Sequence, residues 1–391
     1  MRRTFLYAAM TNFEDDTADW PFSAACQKKD RRVRIMADPR QKKLASILVN
    51  HSIGVKKGDT VLISSTTELA KPLVLEVFRE VLKAGGHPLT SIGFEETSSI
   101  FFDTASPEQI AFFPTTRLFE AKKIDCFVNI RASANKKALS NADPRVVGKR
   151  TKVLRPISEE IVNRKRWVLC NFPTNGLAQE ADMSLEEYED FVYGATNIDW
   201  KKVKQKEMKL KAALDRANEV RIVGTDTDIK IGIRGRKAIP CYGERNMPDG
   251  EVFLSPEETS AEGYIYYEMP AIYQGREVTG IRLRFRGGKV VEASADKNED
   301  FLMAMLGTDK GARFLGELGI GVNYGIQKFT KDILFDEKIG GTVHLAVGRS
   351  YERAGGKNSS AIHWDMIKDL RRGGAIYLDG KAIQKNGKFL I

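Results

Sequence analysis

The hydrophobic pattern of this chain changes near residue 217, and this change constrains the fold more than any other feature. Before it, short β-branched runs alternate with amphipathic segments at helical spacing, which predicts a parallel sheet covered by helices. After it, runs with period-two alternation follow one another across tight turns, which predicts antiparallel strands. We therefore expect an α/β N-terminal domain with a mostly parallel sheet, residues 37–216, and a β-rich α+β C-terminal domain, residues 217–391.

The same periodicities predict individual elements. In the first half, strands are expected at 59–64, 88–92, 124–130 and 166–171, and helices at 69–84, 107–122 and 200–218. In the second half, strands are expected at 220–224, 228–233, 281–286 and 289–291, with one helix around 309–319. Gly287-Gly288 joins two of these strands and is typical of a hairpin turn. No glycine follows the first strand in Ser64–Thr67, which argues against a dinucleotide cofactor.

Residues 1–36 differ from the rest of the chain. They mix acidic and basic runs without clear periodicity, and a regular amphipathic pattern begins only after Met36. We interpret them as an extension that is disordered or not native, and we assign them no function.

The net charge of +10 arises mainly from two segments. Residues 136–166 hold ten Lys and Arg against three Asp and Glu, and residues 201–216 hold seven against two. A basic nucleic-acid-binding module is one interpretation of this charge. A solvated helical surface is favoured, because no aromatic-interleaved RNA motif or zinc finger accompanies it.

The cysteines and the apolar runs bear on the cellular compartment. Four cysteines, at positions 26, 126, 170 and 241, form no CxxC pair, which argues against a zinc ribbon or a disulfide framework and favours the reducing cytoplasm. No apolar run approaches the length of a membrane span, so we expect no membrane partner.

Two of the four histidines lie nineteen positions apart in one polar stretch near the C-terminus. His344 alternates with apolar residues, and His363 is followed by Asp365 at a spacing of two. Side chains two apart on a strand point to the same face, so His363 and Asp365 can converge on one ion. Histidine and aspartate are common ligands of divalent metals, and this cluster is the strongest indication of function.

Three glutamates stand in unusual surroundings. Glu251 follows a Pro-Asp-Gly turn and opens a strand, Glu317 lies in an apolar, glycine-rich run, and Glu337 precedes His344 by seven residues. Two histidines and several carboxylates can hold a pair of divalent ions. Each residue also has an ordinary explanation: His344 could be a hydrogen-bonded core histidine, and Glu317 could pair with Arg313 one helical turn earlier.

Several segments in a fixed order carry a family resemblance. They are Asn246–Phe253, Gly316–Asn323, Phe335–Tyr351 and His363–Asp365 in the second half, with Val55–Ile63, Pro173–Ala181 and Met183–Tyr188 in the first. Together they resemble the aminopeptidase T family of dinuclear metallo-aminopeptidases, from about residue 40 to the C-terminus.

The resemblance implies a metal-binding catalytic C-terminal domain. Its implied metal ligands are Glu251, Glu317, His344, His363 and Asp365, with Glu337 as an additional acidic member. Tyr351 corresponds to the family's active-site tyrosine and would donate to the oxyanion, while Glu317 would carry a proton. The family implies two divalent ions (cobalt, zinc or magnesium), broad specificity for the N-terminal residue of short peptides, and a homodimer.

A second enzyme class with this fold remains open. Some relatives resemble mononuclear iron dioxygenases that open dihydroxypyridine rings, and these would keep only a His/His/Asp set. The presence of both Glu251 and Glu317 favours two ions and hydrolysis.

Overall fold

The computed structural model describes residues 38–391, and helices alternate with short strands through its first half. The helices are α1 Pro39–Ile47, α2 Lys71–Lys83, α3 Glu96–Thr104, α4 Pro107–Ala111, α5 Thr115–Lys123, α6 Pro144–Arg164, α7 Asn175–Glu180, α8 Leu185–Thr196 and α9 Trp200–Leu214. The strands are β1 Thr60–Ser65, β2 His87–Ile92, β3 Cys126–Arg131 and β4 Arg166–Asn171. The predicted extension, residues 1–36, lies outside the described residues.

The first half is built on a parallel sheet, as predicted. Its strand order is β2-β1-β3-β4, and every neighbouring pair is parallel. Helices lie between these strands because each parallel strand must start at the same end of the sheet, so the connection has to carry the chain back along the sheet's length. The four strands begin and end within two residues of their predicted limits.

The helix predicted over 107–122 is wrong as a single element. The structure has two helices there, and Phe112 between them is extended, with φ −65° and ψ 124°. Pro114 explains the break, because proline cannot donate a backbone hydrogen bond and disfavours helical geometry in the residue before it. The helix predicted to end at residue 218 ends at Leu214.

The second half consists mainly of strands. They are β5 Glu219–Gly224, β6 Thr227–Gly232, β7 Ile239–Cys241, β8 Asn246–Met247, β9 Glu251–Leu254, β10 Glu262–Tyr267, β11 Ala271–Tyr273, β12 Arg276–Val278, β13 Ile281–Arg286, β14 Lys289–Ser294, β15 Leu315–Gly321, β16 Thr342–Gly348, β17 His363–Asp369, β18 Ala375–Leu378, β19 Lys381–Lys385 and β20 Lys388–Phe389. Two helices lie between them, α10 Glu299–Leu306 and α11 Ile333–Asp336.

Two antiparallel sheets share one apolar core. The larger has the order β14-β13-β10-β6-β5-β18-β19-β20, and the smaller has the order β17-β16-β15-β9-β7. Val343, Leu345 and Val347 of β16 point into this core with residues of the larger sheet. Because side chains alternate along a strand, the intervening residues of β16 point to the opposite face of the smaller sheet.

The hairpin at Gly287-Gly288 is confirmed, with β13 and β14 antiparallel on either side of it. The helix predicted around 309–319 is wrong: α10 ends at Leu306, and Leu315–Gly321 is a buried strand. Glu317 therefore lies on a strand, and its pairing with Arg313 across a helical turn does not occur.

Residues 38–391 form one compact unit. The short strand β8 lies beyond residue 217 and yet pairs with β4 at the edge of the parallel sheet. The division at residues 216 and 217 into two domains stays a prediction. No helix among these residues has the length and apolarity to cross a membrane.

Candidate metal centre

The smaller antiparallel sheet brings five of the six predicted ligands to one face. Residues directly opposite each other on antiparallel strands share a face. Glu317 lies opposite Ala346, which lies opposite Asp365, and His363 lies opposite Gly348 on the same face. His344, two residues from Ala346, joins this face, and Glu251 joins it through its pairing with Gly321. The register alone thus gathers side chains that are far apart in sequence.

A glycine gives His344 room to reach its neighbours. Gly319 lies opposite His344 on β15, and a Cβ atom at residue 319 would overlap the imidazole Nε2. The ring can therefore lie across β15 toward the carboxylates beyond it. This close approach accounts for a glycine within a buried strand, where it is otherwise unfavourable.

His344 is fully buried, and its two ring nitrogens have different surroundings. Nδ1 lies 3.0 Å from the backbone carbonyl of Glu337, so this nitrogen carries the hydrogen and donates. Nε2 lies 3.2 Å from Glu251 Oε2 and 3.3 Å from Glu317 Oε1. A backbone carbonyl that fixes the tautomer and leaves Nε2 as the free donor atom is the usual arrangement of a metal-binding histidine.

His363 repeats this arrangement at the edge of the site. Its Nδ1 donates to the backbone carbonyl of Arg349 at 2.6 Å. Its Nε2 lies 3.6 Å from Glu317 Oε2 and 3.6 Å from Asp365 Oδ1. Glu317 therefore lies between the two imidazoles, with one carboxylate oxygen toward each.

The electrostatics of this cluster favour positive charge. Burial alone would lower the pKa of His344, but Glu251 and Glu317 raise it well above the ordinary value. Burial raises the pKa of Glu317, and Asp365 raises it further, whereas His344 lowers it. Glu251 Oε2 and Asp365 Oδ1 are buried and have no hydrogen-bond partner of good geometry among residues 38–391. A donor set of two imidazole Nε2 atoms and carboxylate oxygens without a hydrogen-bond partner fits divalent cations, and a cation that binds His344 would displace the proton from its Nε2.

Two overlapping donor groups include all but one of the predicted ligands. One offers donor atoms from Glu251, Glu317 and His344, and the other from Glu337, His344 and Asp365, with the atoms of each group within 4.8 Å of one another. Because both groups include His344, their donor atoms lie in one region of the site. The remaining ligand, His363, reaches the first group through Glu317.

Sequence reasoning missed a buried lysine beside these carboxylates. Lys338 has no exposed surface; its ammonium contacts the Glu337 carboxylate and lies 3.8 Å from Glu251 Oε1. Burial lowers the lysine pKa, but Glu337 and Glu251 outweigh it and raise the pKa overall. Burial also raises the pKa of Glu337, to about 8, although Lys338 acts in the opposite direction. No pattern in one sequence distinguishes this lysine from a surface lysine.

Sequence reasoning also missed donor atoms on the other side of Glu251. Cys241 lies directly opposite Glu251 on β7, and Asp249 precedes Glu251 by two residues. The donor atoms of these three residues lie within 4.8 Å of one another. Burial raises the pKa of Asp249 to about 7, partly offset by Lys338, and Asp249 Oδ1 has no partner among the described residues.

Tyr351 packs against His363 at the edge of the site. Its ring centroid is 5.0 Å from that of His363. Its backbone N–H donates to Ser255 Oγ, at 3.2 Å, just after β9. Burial raises the pKa of its hydroxyl, and the nearby carboxylates of Glu317 and Asp365 raise it further. The tyrosine is therefore a neutral hydrogen-bond donor at neutral pH.

A cavity of about 610 Å³ opens over this face of the sheet. Six site residues line it: Glu251, Glu317, Glu337, Tyr351, His363 and Asp365. His344 is absent from the lining and lies beneath these residues. The cavity also reaches Trp167, Arg245 and Arg353, so a bound molecule would contact groups well beyond the carboxylates.

Comparison with solved structures gives the fold. The structure of wild-type AmpT from Thermus thermophilus aligns with a TM-score of 0.77 at 23% identity, covering 90% of this chain and 99% of that one. The 2,5-dihydroxypyridine dioxygenase of Pseudomonas putida KT2440 aligns with a TM-score of 0.55 at 15% identity, covering 90% and 96%. The predicted order of a parallel-sheet region and an antiparallel-sheet region is confirmed.

Comparison of sequences gives the family. Aminopeptidase 2 of Geobacillus stearothermophilus is 24% identical over 398 residues, which cover 88% of this chain and 94% of that protein. A family model described as thermophilic metalloprotease (M29) matches residues 37–389. The chain therefore belongs to the thermophilic metalloprotease family M29, the metallo-aminopeptidases that its motifs resemble.

Proposed function

We propose that this M29 metallo-aminopeptidase removes N-terminal residues from short peptides with broad specificity, using two adjacent divalent ions. The observation that carries the proposal is that the two histidines have the same hydrogen-bonding arrangement. In each, the Nδ1–H group donates to a backbone carbonyl and the Nε2 atom points at carboxylates. The residues proposed to hold the ions are Glu251, Glu317, Glu337, His344, His363 and Asp365. Cobalt, zinc and magnesium are the candidate ions.

The chemistry divides between the ions and the protein. When bound, a pair of divalent ions polarises a carbonyl and lowers the pKa of water. Tyr351 supplies a neutral hydroxyl at the wall of the cavity, which suits donation of a hydrogen bond to the oxyanion that forms from the scissile carbonyl. Backbone carbonyls hold both imidazoles in place, so the site needs little reorganisation.

Glu317 is our candidate for proton transfer to the leaving amine. Its carboxylate lies between the two imidazoles and lines the cavity, so a bound substrate would lie within its reach. Replacement Glu317→Gln keeps the shape and removes the ionisable group. We expect it to abolish hydrolysis of amino-acid amides; an active variant with a full metal content would contradict this role.

Metal reconstitution tests the proposed function. Metal-stripped protein is refilled separately with cobalt, zinc, manganese, magnesium or ferrous iron, and hydrolysis of leucine p-nitroanilide and of Leu-Gly-Gly is measured. We expect activity to return with divalent ions at two per chain. Failure with every metal, combined with oxygen consumption at one bound iron per chain, would instead support the ring-opening dioxygenase.

The oligomeric state is a separate proposal. The family resemblance implies a homodimer, and sedimentation of the metal-loaded protein would test it. Nucleic acid is not among the proposed partners, because the candidate centre is a cavity lined by carboxylates rather than a basic surface.

A further inference from the structure

Two guanidinium groups line the cavity opposite its carboxylates. Arg353 and Arg245 both contribute to the lining, and neither forms an ion pair with a carboxylate among residues 38–391. Arg245 donates only to the backbone carbonyl of Lys165, at 3.2 Å. Burial lowers the pKa of Arg245, and the charge of nearby Arg353 lowers it further. Two neighbouring guanidinium groups that make no close ion pair among the described residues can bind an anion.

Aromatic rings fix both guanidinium groups in position. The Arg353 guanidinium carbon lies 5.5 Å from the ring centroid of Phe253 and 5.8 Å from that of Tyr351. The Arg245 guanidinium carbon lies 5.3 Å from the Trp167 ring centroid. Stacking of this kind leaves the edge of the guanidinium, with its N–H groups, free to donate.

The segment that carries Arg353 is also the one that positions Tyr351. Arg353 belongs to a single 3₁₀ turn, Glu352–Ala354, and Ala354 is fully buried. The carbonyl of Ala354 accepts a hydrogen bond from the Ser255 N–H at 3.4 Å. Arg353 is therefore attached to the end of β9, the strand that begins with Glu251.

The separation between Arg353 and the candidate metal centre corresponds to a very short peptide. The Tyr351 ring centroid is 5.8 Å from the Arg353 guanidinium carbon and 5.0 Å from the His363 ring centroid. The guanidinium is therefore no more than about 11 Å from that imidazole. An extended peptide spans about 3.5 Å per residue, so a dipeptide or tripeptide with its amine at the centre keeps its C-terminal carboxylate within this limit, whereas a longer extended peptide exceeds it.

We infer that Arg353, with Arg245 beside it, binds the free α-carboxylate of a dipeptide or tripeptide substrate. This inference rests on the proposed aminopeptidase function and adds a substrate class: short peptides with an unblocked C-terminus. A planar guanidinium matches a carboxylate through paired N–H groups, and such charge-assisted contacts change binding by about 10- to 100-fold. Longer peptides and C-terminal amides lack a carboxylate at the required distance.

The test compares a tripeptide acid with its amide on the full-length, metal-loaded enzyme. We expect kcat/KM for Leu-Gly-Gly to exceed that for Leu-Gly-Gly amide by about 10- to 100-fold, mainly through KM. In Arg353→Gln and Arg245→Gln this ratio should fall toward one, and Arg353→Lys should give an intermediate ratio because lysine keeps the charge but not the paired geometry. The ratio compares two substrates on one enzyme, so partial misfolding does not change it.

Arg276→Gln is the matched control. Arg276 also stacks on an aromatic ring, with its guanidinium carbon 5.2 Å from the Phe301 centroid, but it does not line the cavity. Its variant should keep the wild-type ratio. An active wild-type enzyme that treats acid and amide alike, or variants that keep the preference, would overturn the carboxylate site alone. A wild-type enzyme inactive on leucine p-nitroanilide, which has no carboxylate, would instead reject the proposed function.

Discussion

A buried glutamate behind the candidate metal centre gives a prediction whose magnitude follows from the structure. Glu207 of α9 has no exposed surface, and neither carboxyl oxygen has a hydrogen-bond partner of good geometry among the described residues. Burial raises its pKa to about 10, and the negative charges of Asp249 and Glu251 contribute to the rise. The backbone N–H of Cys241 offsets only part of it. Folded protein therefore holds a proton on Glu207 at neutral pH.

The sign and size of the effect on stability follow by linkage. The ordinary glutamate pKa is 4.5, so between pH 4.5 and about 10 the folded state binds one more proton at Glu207 than the unfolded state. The free energy of unfolding then falls as pH rises, by about 1.4 kcal/mol per pH unit. This loss is absent below pH 4.5 and stops growing above about pH 10. From pH 5 to pH 8 it amounts to about 4 kcal/mol.

Replacement Glu207→Gln removes the ionisation and retains the shape of the side chain. We expect the variant and the wild type to have similar stability at pH 5, and the variant to become more stable than the wild type by up to about 4 kcal/mol at pH 8. Urea unfolding of the metal-free proteins at several pH values measures this difference. Both proteins keep every proposed metal ligand, so the difference isolates residue 207.

Glu186→Gln serves as the control, because Glu186 is exposed in the first turn of α8. The free energy of unfolding of Glu186→Gln should change with pH in the same way as that of the wild type. If Glu207→Gln also runs parallel to the wild type from pH 5 to pH 8, Glu207 is ionised in the folded protein and the reasoning from burial is wrong.

Three further substitutions test other parts of the structure. Gly319→Ala places a Cβ on the imidazole of His344, so we expect a 10- to 100-fold loss of metal affinity by calorimetry, and unchanged affinity would contradict the close approach. Gly194 lies in α8, and a Cβ atom added there would meet no side chain or neighbouring element within 4 Å. Gly194→Ala should therefore raise the free energy of unfolding by about 0.5–1 kcal/mol. Lys338→Met removes the ammonium that lies 3.8 Å from the buried Glu251 carboxylate and should destabilise the metal-free protein by about 3–5 kcal/mol in urea unfolding; a variant as stable as the wild type would show that the lysine is not needed there.

The parallel sheet could be predicted because its strands are short apolar or β-branched runs separated by segments with helical spacing. Each of the four long strands pairs over several residues, as between Cys126–Arg131 and Arg166–Asn171. The fifth strand, Asn246–Met247, could not be predicted, since two residues carry no periodicity. Its place at the sheet edge depends on contacts with Leu169 and Cys170, which are remote in sequence.

The strand that bears Glu317 was mistaken for a helix for a physical reason. Gly316, Gly319 and Gly321 depress its strand propensity, so local pattern gives a weak signal. Each glycine is explained by what approaches it: a Cβ would overlap the Arg349 carbonyl, the His344 ring or the Ile339 carbonyl, respectively. These close contacts are made with residues remote in sequence, so the hydrophobic periodicity of the segment cannot predict them.

The candidate centre itself was predicted unevenly. Histidines are rare in this chain, and the motifs around His344 and His363 resemble a family, so these two residues stand out in the sequence, and the sheet brings them to one face. Sequence reasoning did not single out three further residues of the centre because they lie in segments that are polar in sequence: Cys241, Asp249 and Lys338. Their burial is decided by the pairing of β7 with β9 and by the contact of Lys338 with Glu251.

The buried charges of this site predict how metal binding would depend on pH. Lys338 is the buried ammonium that opposes the carboxylates of this site, and it contacts one of them directly. Burial raises the pKa of Glu337 to about 8 and that of Asp249 to about 7, and Lys338 offsets only part of each rise, so both carboxyls bind protons near neutral pH. Cations that bind here must displace those protons, so metal affinity should increase with pH up to about 8.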